Sequence, residues 1–61
     1  MVKLGRMYQH NKTKSEYLIQ NIGKMKTEGE WVQSVSYMNN TGDMYTRSMC
    51  DFNENFTLII E

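Results

Sequence analysis

Seven side chains in this 61-residue chain bear on chemistry: Tyr8, His10, Tyr17, Trp31, Tyr37, Tyr45 and Arg47. Tyr, Trp and Arg dominate binding hot spots because each joins a large contact area to a polar tip. Tyr8 and His10 are two positions apart, as are Tyr45 and Arg47, so on a strand each pair points to one side. If the two strands bring those sides together, two phenols, an imidazole and a guanidinium meet in one small site. Arg offers a bidentate fork, and Tyr and His add donors, a set that suits a carboxylate, a phosphate or a peptide backbone. Trp31 is a further candidate for that surface. The competing structural expectation is that Arg47 pairs with Asp51 four residues on, that His10 satisfies one end of the fold, and that Trp31, Tyr37 and Phe52 supply the core.

Other chemistry finds little support. Cys50 and His10 are the only residues of their types and lie forty positions apart, which is too few ligands for zinc without a carboxylate cluster of suitable spacing. Glu28 and Glu30 flank Gly29 in a turn, where no cleft separates the two pKa values as an acid and base pair requires. The four glycines are isolated, so there is no phosphate-cradling loop. The expectation is a non-enzymatic protein with no cofactor and no metal.

The charge balance narrows the partners. Formal net charge is zero, yet residues 1 to 26 carry six cations against Glu16 alone, and residues 27 to 61 carry six carboxylates against Arg47 alone. A strong nucleic-acid binder or nucleic-acid mimic needs a large charge of one sign, so weak nucleic-acid binding ranks third among the readings. No stretch approaches the roughly 18 apolar residues of a membrane span, and the opening residues lack an apolar secretory core. One cysteine closes no disulfide within the chain. Together these predict a soluble, cytoplasmic product.

The elements that must position these residues are short. At 61 residues the chain is one domain, and a domain this small buries only about 60% of its unfolded surface. Strands are expected over Arg6–His10 and Glu16–Lys26, with a bulge or bend at Gly23 and a hairpin turn at Thr27-Glu28-Gly29. From Glu30 to Met38 the alternation puts Trp31, Val35 and Tyr37 on one face and Ser34 and Ser36 on the other. Asn39-Asn40-Thr41-Gly42-Asp43 reads as a turn, and Met44–Arg47 as a fourth strand. Ser48, with Asp51 three residues on, is an N-cap for a single helical turn, and Phe56–Ile60 is a last strand. Five short strands with one turn of helix before the last is an all-β, SH3-like barrel; an OB-fold needs longer strands. Met25, Met38, Met44 and Met49 are expected as gap-fillers in a core lacking alanine.

Gly5-Arg6-Met7-Tyr8-Gln9-His10 and Tyr45-Thr46-Arg47-Ser48-Met49-Cys50-Asp51-Phe52 resemble the two ends of the small bacterial and phage domain-of-unknown-function family 1653. That family opens with Gly, a basic residue, any residue, Tyr, any residue, His, and later reads aromatic, Val, Arg, Pro, Leu, two variable residues, Phe. The likeness spans roughly residues 5 to 58. Ser48 stands where the family has proline and Tyr45 where it has tryptophan, which leaves the turn after Arg47 less rigid. The resemblance implies an SH3-like barrel with Tyr8, His10 and Arg47 on a shared surface, and implies no reaction.

The functional expectation is a small binding module that holds a protein segment through Tyr8, His10, Trp31, Tyr45 and Arg47. The abundance of Asn, Lys and Met without proline suggests a phage accessory product, in which case the partner is a host protein and the location is the host cytoplasm. A second reading is an oligomer that sequesters an anionic small molecule or nucleotide at an interface, since a pocket is hard to build within 61 residues. A protein partner or self-association is expected, because a small core gains from a second chain; an oligomer goes with the interface pocket and a monomer with simple surface recognition.

Overall fold

The computed structural model describes residues 2 to 59. Five strands, β1 (Met7–His10), β2 (Glu16–Thr27), β3 (Glu30–Met38), β4 (Met44–Ser48) and β5 (Phe56–Leu58), form one antiparallel sheet in the order β4-β3-β2-β1-β5. A helix, α1 (Met49–Asn55), precedes the last strand. Five strands with one short helix before the last match the expected all-β layout. The sheet stays open, however, with β4 and β5 as its edges. Ile60, expected at the end of the last strand, lies outside the described residues.

Local chemistry sets the connections. The β2–β3 hairpin turns on Glu28 and Gly29, with φ of 51° and 82°, the two consecutive positive values that match a tight turn to strand twist. At the β3–β4 turn the Asn39 side-chain carbonyl accepts from the Thr41 and Asp43 backbone N–H groups at 3.0 and 2.9 Å, and from the Thr41 hydroxyl at 2.9 Å. The Ser48 hydroxyl accepts from Asp51 N–H at 3.2 Å, and Asp51 adds a carboxylate to the first turn, so the helix runs to seven residues where one turn was expected.

One face of the sheet carries the core. The registers Tyr8↔Tyr17, Ile19↔Tyr37, Tyr37↔Tyr45, Val35↔Arg47 and His10↔Phe56 line these residues up on the same side. Phe52 of α1 drops onto that side fully buried and stacks on Phe56 with ring centroids 4.1 Å apart. Val2 closes the cluster from the N-terminal segment, which is held by Gly5 N–H to Ile19 O at 3.0 Å. The bulge expected at Gly23 falls between Ile19 and Asn21 instead. It shifts the alternation by one, so that Tyr17 and Ile19 before it and Ile22 after it face the same core.

Two expectations about the core fail. Beyond Ser34 the β2–β3 hairpin outruns its neighbours, since β4 pairs only with residues 34 to 38 and β1 only with residues 16 to 18. Trp31 sits on this two-stranded arm opposite Lys26 and is 67% exposed, so it is no core residue; Tyr37 and Phe52 are. Nor do the methionines fill the interior. Met7, Leu18, Met38 and Met44 pair in one row across four strands on the opposite, outer face, and among the described methionines only Met49 packs against the core.

Candidate binding surface

Strand order decides which of the predicted residues meet. Between β1 and β4 lie β2 and β3, so Tyr8 and His10 do not face Tyr45 and Arg47 directly. The intervening space on the core face is filled by Tyr17 and Tyr37. Tyr37 is the hub: its ring lies 5.1 Å from Tyr17, 5.6 Å from Tyr45, 5.1 Å from Phe56 and 5.4 Å from Phe52. Tyr17 also meets Tyr45 at 6.0 Å and Phe56 at 5.6 Å, both edge to face. Edge-to-face and offset contacts at these spacings are the favoured aromatic geometries.

The predicted residues divide by exposure. Tyr8 is buried; its ring meets Phe52 edge-on at 5.3 Å and its hydroxyl accepts from Lys3 N–H at 3.1 Å. His10 is half-buried against Phe56 at 4.9 Å, and its Nδ1 accepts from the N–H groups of Lys12 and Thr13, both at 3.2 Å. It therefore ties down the β1–β2 turn. Tyr45 is the outlying ring, 43% exposed and stacked on Tyr37 with an interplanar angle of 27°. Trip-wise along the strand, Arg47 follows on the same face.

Arg47 is held on three sides. Its Nε donates to the Tyr37 hydroxyl at 2.6 Å, its Nη1 donates to Asp51 Oδ2 at 3.0 Å, and its guanidinium carbon stands 5.3 Å from the Phe56 ring centre. The Tyr37 hydrogen bond is the main cause holding the guanidinium above its ordinary pKa; burial opposes it, and the Asp51 contact adds to it. The Arg47–Asp51 pairing expected from their spacing is thus present, and it offsets the charge that an anionic ligand would seek.

The surface that results is an aromatic shelf. Tyr45 and the half-buried Tyr17 present their outer parts to solvent over a floor of Tyr37 and Phe56, and the Arg47–Asp51 pair forms a polar border. Tyr17 belongs to the aromatic set in the sequence but not to the residues expected at the site. The signal was its two-residue phase with Ile19, but the pairing with Tyr45 depends on strand order. An open groove of about 710 Å³ lies elsewhere, on the outer face, lined by Met7, Lys14, Leu18, Met38 and Thr41 among others, and none of the predicted site residues lines it.

Among the described residues no three His, Cys, Asp or Glu side chains are grouped to hold a metal ion, and no helix is long and apolar enough to cross a membrane. In comparison with known proteins, no family model, no curated protein and no solved structure matches the chain.

Proposed function

We propose that this protein is a non-enzymatic binding module that holds a segment of a protein partner on the Tyr17–Tyr45 shelf. The observation that carries the reading is Tyr45: a ring 43% exposed, yet fixed flat against the buried Tyr37 and edge-on to Tyr17. A large ring already packed along one face has less conformational entropy to lose when a partner covers the other, which is what makes such residues binding anchors. The border pair Arg47 and Asp51 supplies both a donor and an acceptor at the edge of the shelf, a combination that suits the alternating polarity of a peptide backbone better than an anion. Nucleotide sequestration is the weaker reading, because two of the guanidinium's donors are already engaged.

Membership of family 1653 and a phage origin belong to the same proposal; on that view the partner is a host protein. Selection from a displayed library of random peptides tests the reading without knowledge of the partner. Enrichment of a sequence class on the wild type that disappears with Tyr45→Ala and survives Trp31→Ala supports it. No enrichment, or enrichment untouched by Tyr45→Ala, overturns it.

A further inference from the structure

The sheet is open, and its two edges are unequal. β5 is three residues long, whereas β4 presents five residues with no proline and no bulge against β3, and its one charge, Arg47, is paired with Asp51 of the same chain. Natural edge strands are usually blunted by such features, because a bare row of N–H and C=O groups templates pairing with another strand. The direction of those groups follows from the turn. Asn39 N–H donates to Asp43 O at 3.1 Å, which makes residues 39 and 43 a hydrogen-bonded pair. Alternation along the ladder then turns the backbone groups of Tyr45 and Arg47 toward β3 and those of Met44 and Thr46 outward. The 3.1 Å contact between the Ser36 and Thr46 hydroxyls fits this phase, since side chains approach closest across non-hydrogen-bonded positions.

We infer that β4 pairs with β4 of a second copy of the chain, antiparallel about a two-fold axis through Thr46, to form a continuous ten-stranded sheet. Antiparallel self-pairing of one strand is the isologous arrangement that closes on itself as a dimer. The register argues for a second copy over a foreign strand. With Thr46 opposite its own counterpart, Tyr45 of each copy stands opposite Arg47 of the other on the core side of the sheet. These are non-hydrogen-bonded positions, the closer of the two kinds, and they set a ring 43% exposed against a guanidinium whose side chain is 32% exposed, once on each side of the axis. The only charge on the strand is Arg47, and Asp51 of its own chain offsets it, so no like-charge repulsion opposes the approach. The dimer sets the two aromatic shelves on either side of the axis and lets each copy contribute Arg47 to the other's Tyr45.

The inference stands apart from the binding proposal: a dimer that selects no peptide, or a monomer that does, separates the two. Sedimentation equilibrium or light scattering of the full chain, from tens of micromolar to about 1 mM, reads the association directly. The expected mass rises toward twice the 7.2 kDa of one chain. Thr46→Lys changes an exposed side chain on the outer face and puts like charges face to face at the axis; it is expected to stay at one chain mass throughout with an unchanged far-UV circular dichroism spectrum. Amide hydrogen exchange on the wild type needs no variant. The Thr46 and Met44 amides should slow as concentration rises, while those of Tyr45 and Arg47 are protected at every concentration. A wild type that remains at one chain mass, a Thr46→Lys variant that associates as the wild type does, or a Thr46 amide indifferent to concentration overturns the inference.

Discussion

Removing one oxygen at the hub of the aromatic cluster tests how Arg47 is held. Tyr37→Phe keeps the ring and its four aromatic neighbours and deletes only the hydroxyl that accepts from Arg47 Nε at 2.6 Å. A hydrogen bond to a charged group contributes about 1.5–3 kcal/mol net. Because the Arg47 side chain keeps 32% of its surface in water, solvent replaces part of the lost acceptor, and the expected cost is about 1–2 kcal/mol. The contrasting change is Asp51→Asn, which removes the ion pair but keeps the oxygen that accepts from Asn55 at 3.0 Å. Asp51 is half exposed, so that pair is expected to contribute about 0.5 kcal/mol.

In a domain of this size about 1 kcal/mol moves Tm by roughly 4–8 °C, so Tyr37→Phe should lower Tm by roughly 5–15 °C and Asp51→Asn by less than about 4 °C. The small Asp51 effect should fade with added salt, while the Tyr37 effect should not. Thermal unfolding by far-UV circular dichroism is the assay; Trp31 is 67% exposed and makes a poor fluorescence reporter of the core. Since folding raises the Arg47 pKa, its stabilisation is complete below the unfolded value and is lost only as pH climbs through the folded one, in strongly alkaline solution. Arg47 therefore adds no slope to stability between about pH 5 and pH 9. A Tyr37→Phe protein with wild-type Tm, or one that loses less than Asp51→Asn, refutes the assignment of Tyr37 as the main anchor of Arg47.

Ser48→Ala removes the helix N-cap and should cost about 1 kcal/mol, read as a Tm fall of roughly 4–8 °C. His10→Asn, whose side-chain carbonyl can stand in for Nδ1, should keep the Lys12 and Thr13 amides protected from hydrogen exchange, whereas His10→Leu should expose both. Trp31→Ala should change stability by no more than about 0.5 kcal/mol in denaturant unfolding, because the ring lies on the arm beyond the core.

Which parts of this fold can be read from the sequence depends on how far each signal reaches. β3 is legible to its end residues because a half-buried strand alternates and is bounded by Gly29 and Asn39. The N-cap at Ser48 and the Arg47–Asp51 pair depend on residues no more than four apart, and both are present. What depends on strand length or order is not legible in the same way. Alternation puts Trp31 in phase with Val35 and Tyr37, but nothing local says that β1 and β4 stop short and leave Trp31 uncovered. The bulge follows the need of β2 to turn both halves toward one core, not the flexibility of Gly23. In the site, each predicted pair does share a face, yet two strands come between the pairs, and Tyr17 and Tyr37 take the place where direct contact was expected.

The same rings that make up the core also reach the surface, and this constrains how the binding proposal must be tested. Phe52 and Phe56 stack at 4.1 Å beneath Tyr37, Tyr37 carries Tyr45 and Tyr17, and no aliphatic layer separates the interior from the shelf. In a chain whose stability margin is expected to be only a few kcal/mol, truncating Phe52 or Tyr37 costs about 3–5 kcal/mol and abolishes binding by unfolding the protein, whatever the shelf does. Loss of function at those positions therefore carries no information about recognition. Tyr45 is where the two roles part: Tyr45→Ala forfeits two ring contacts, to Tyr37 and Tyr17, at about 0.5–1.5 kcal/mol each beyond the area they bury, but leaves the buried rings in place and removes the most exposed ring of the shelf. A Tyr45→Ala protein that still unfolds cooperatively, with a lowered Tm that stays well above the assay temperature, and yet loses its partner would separate recognition from stability.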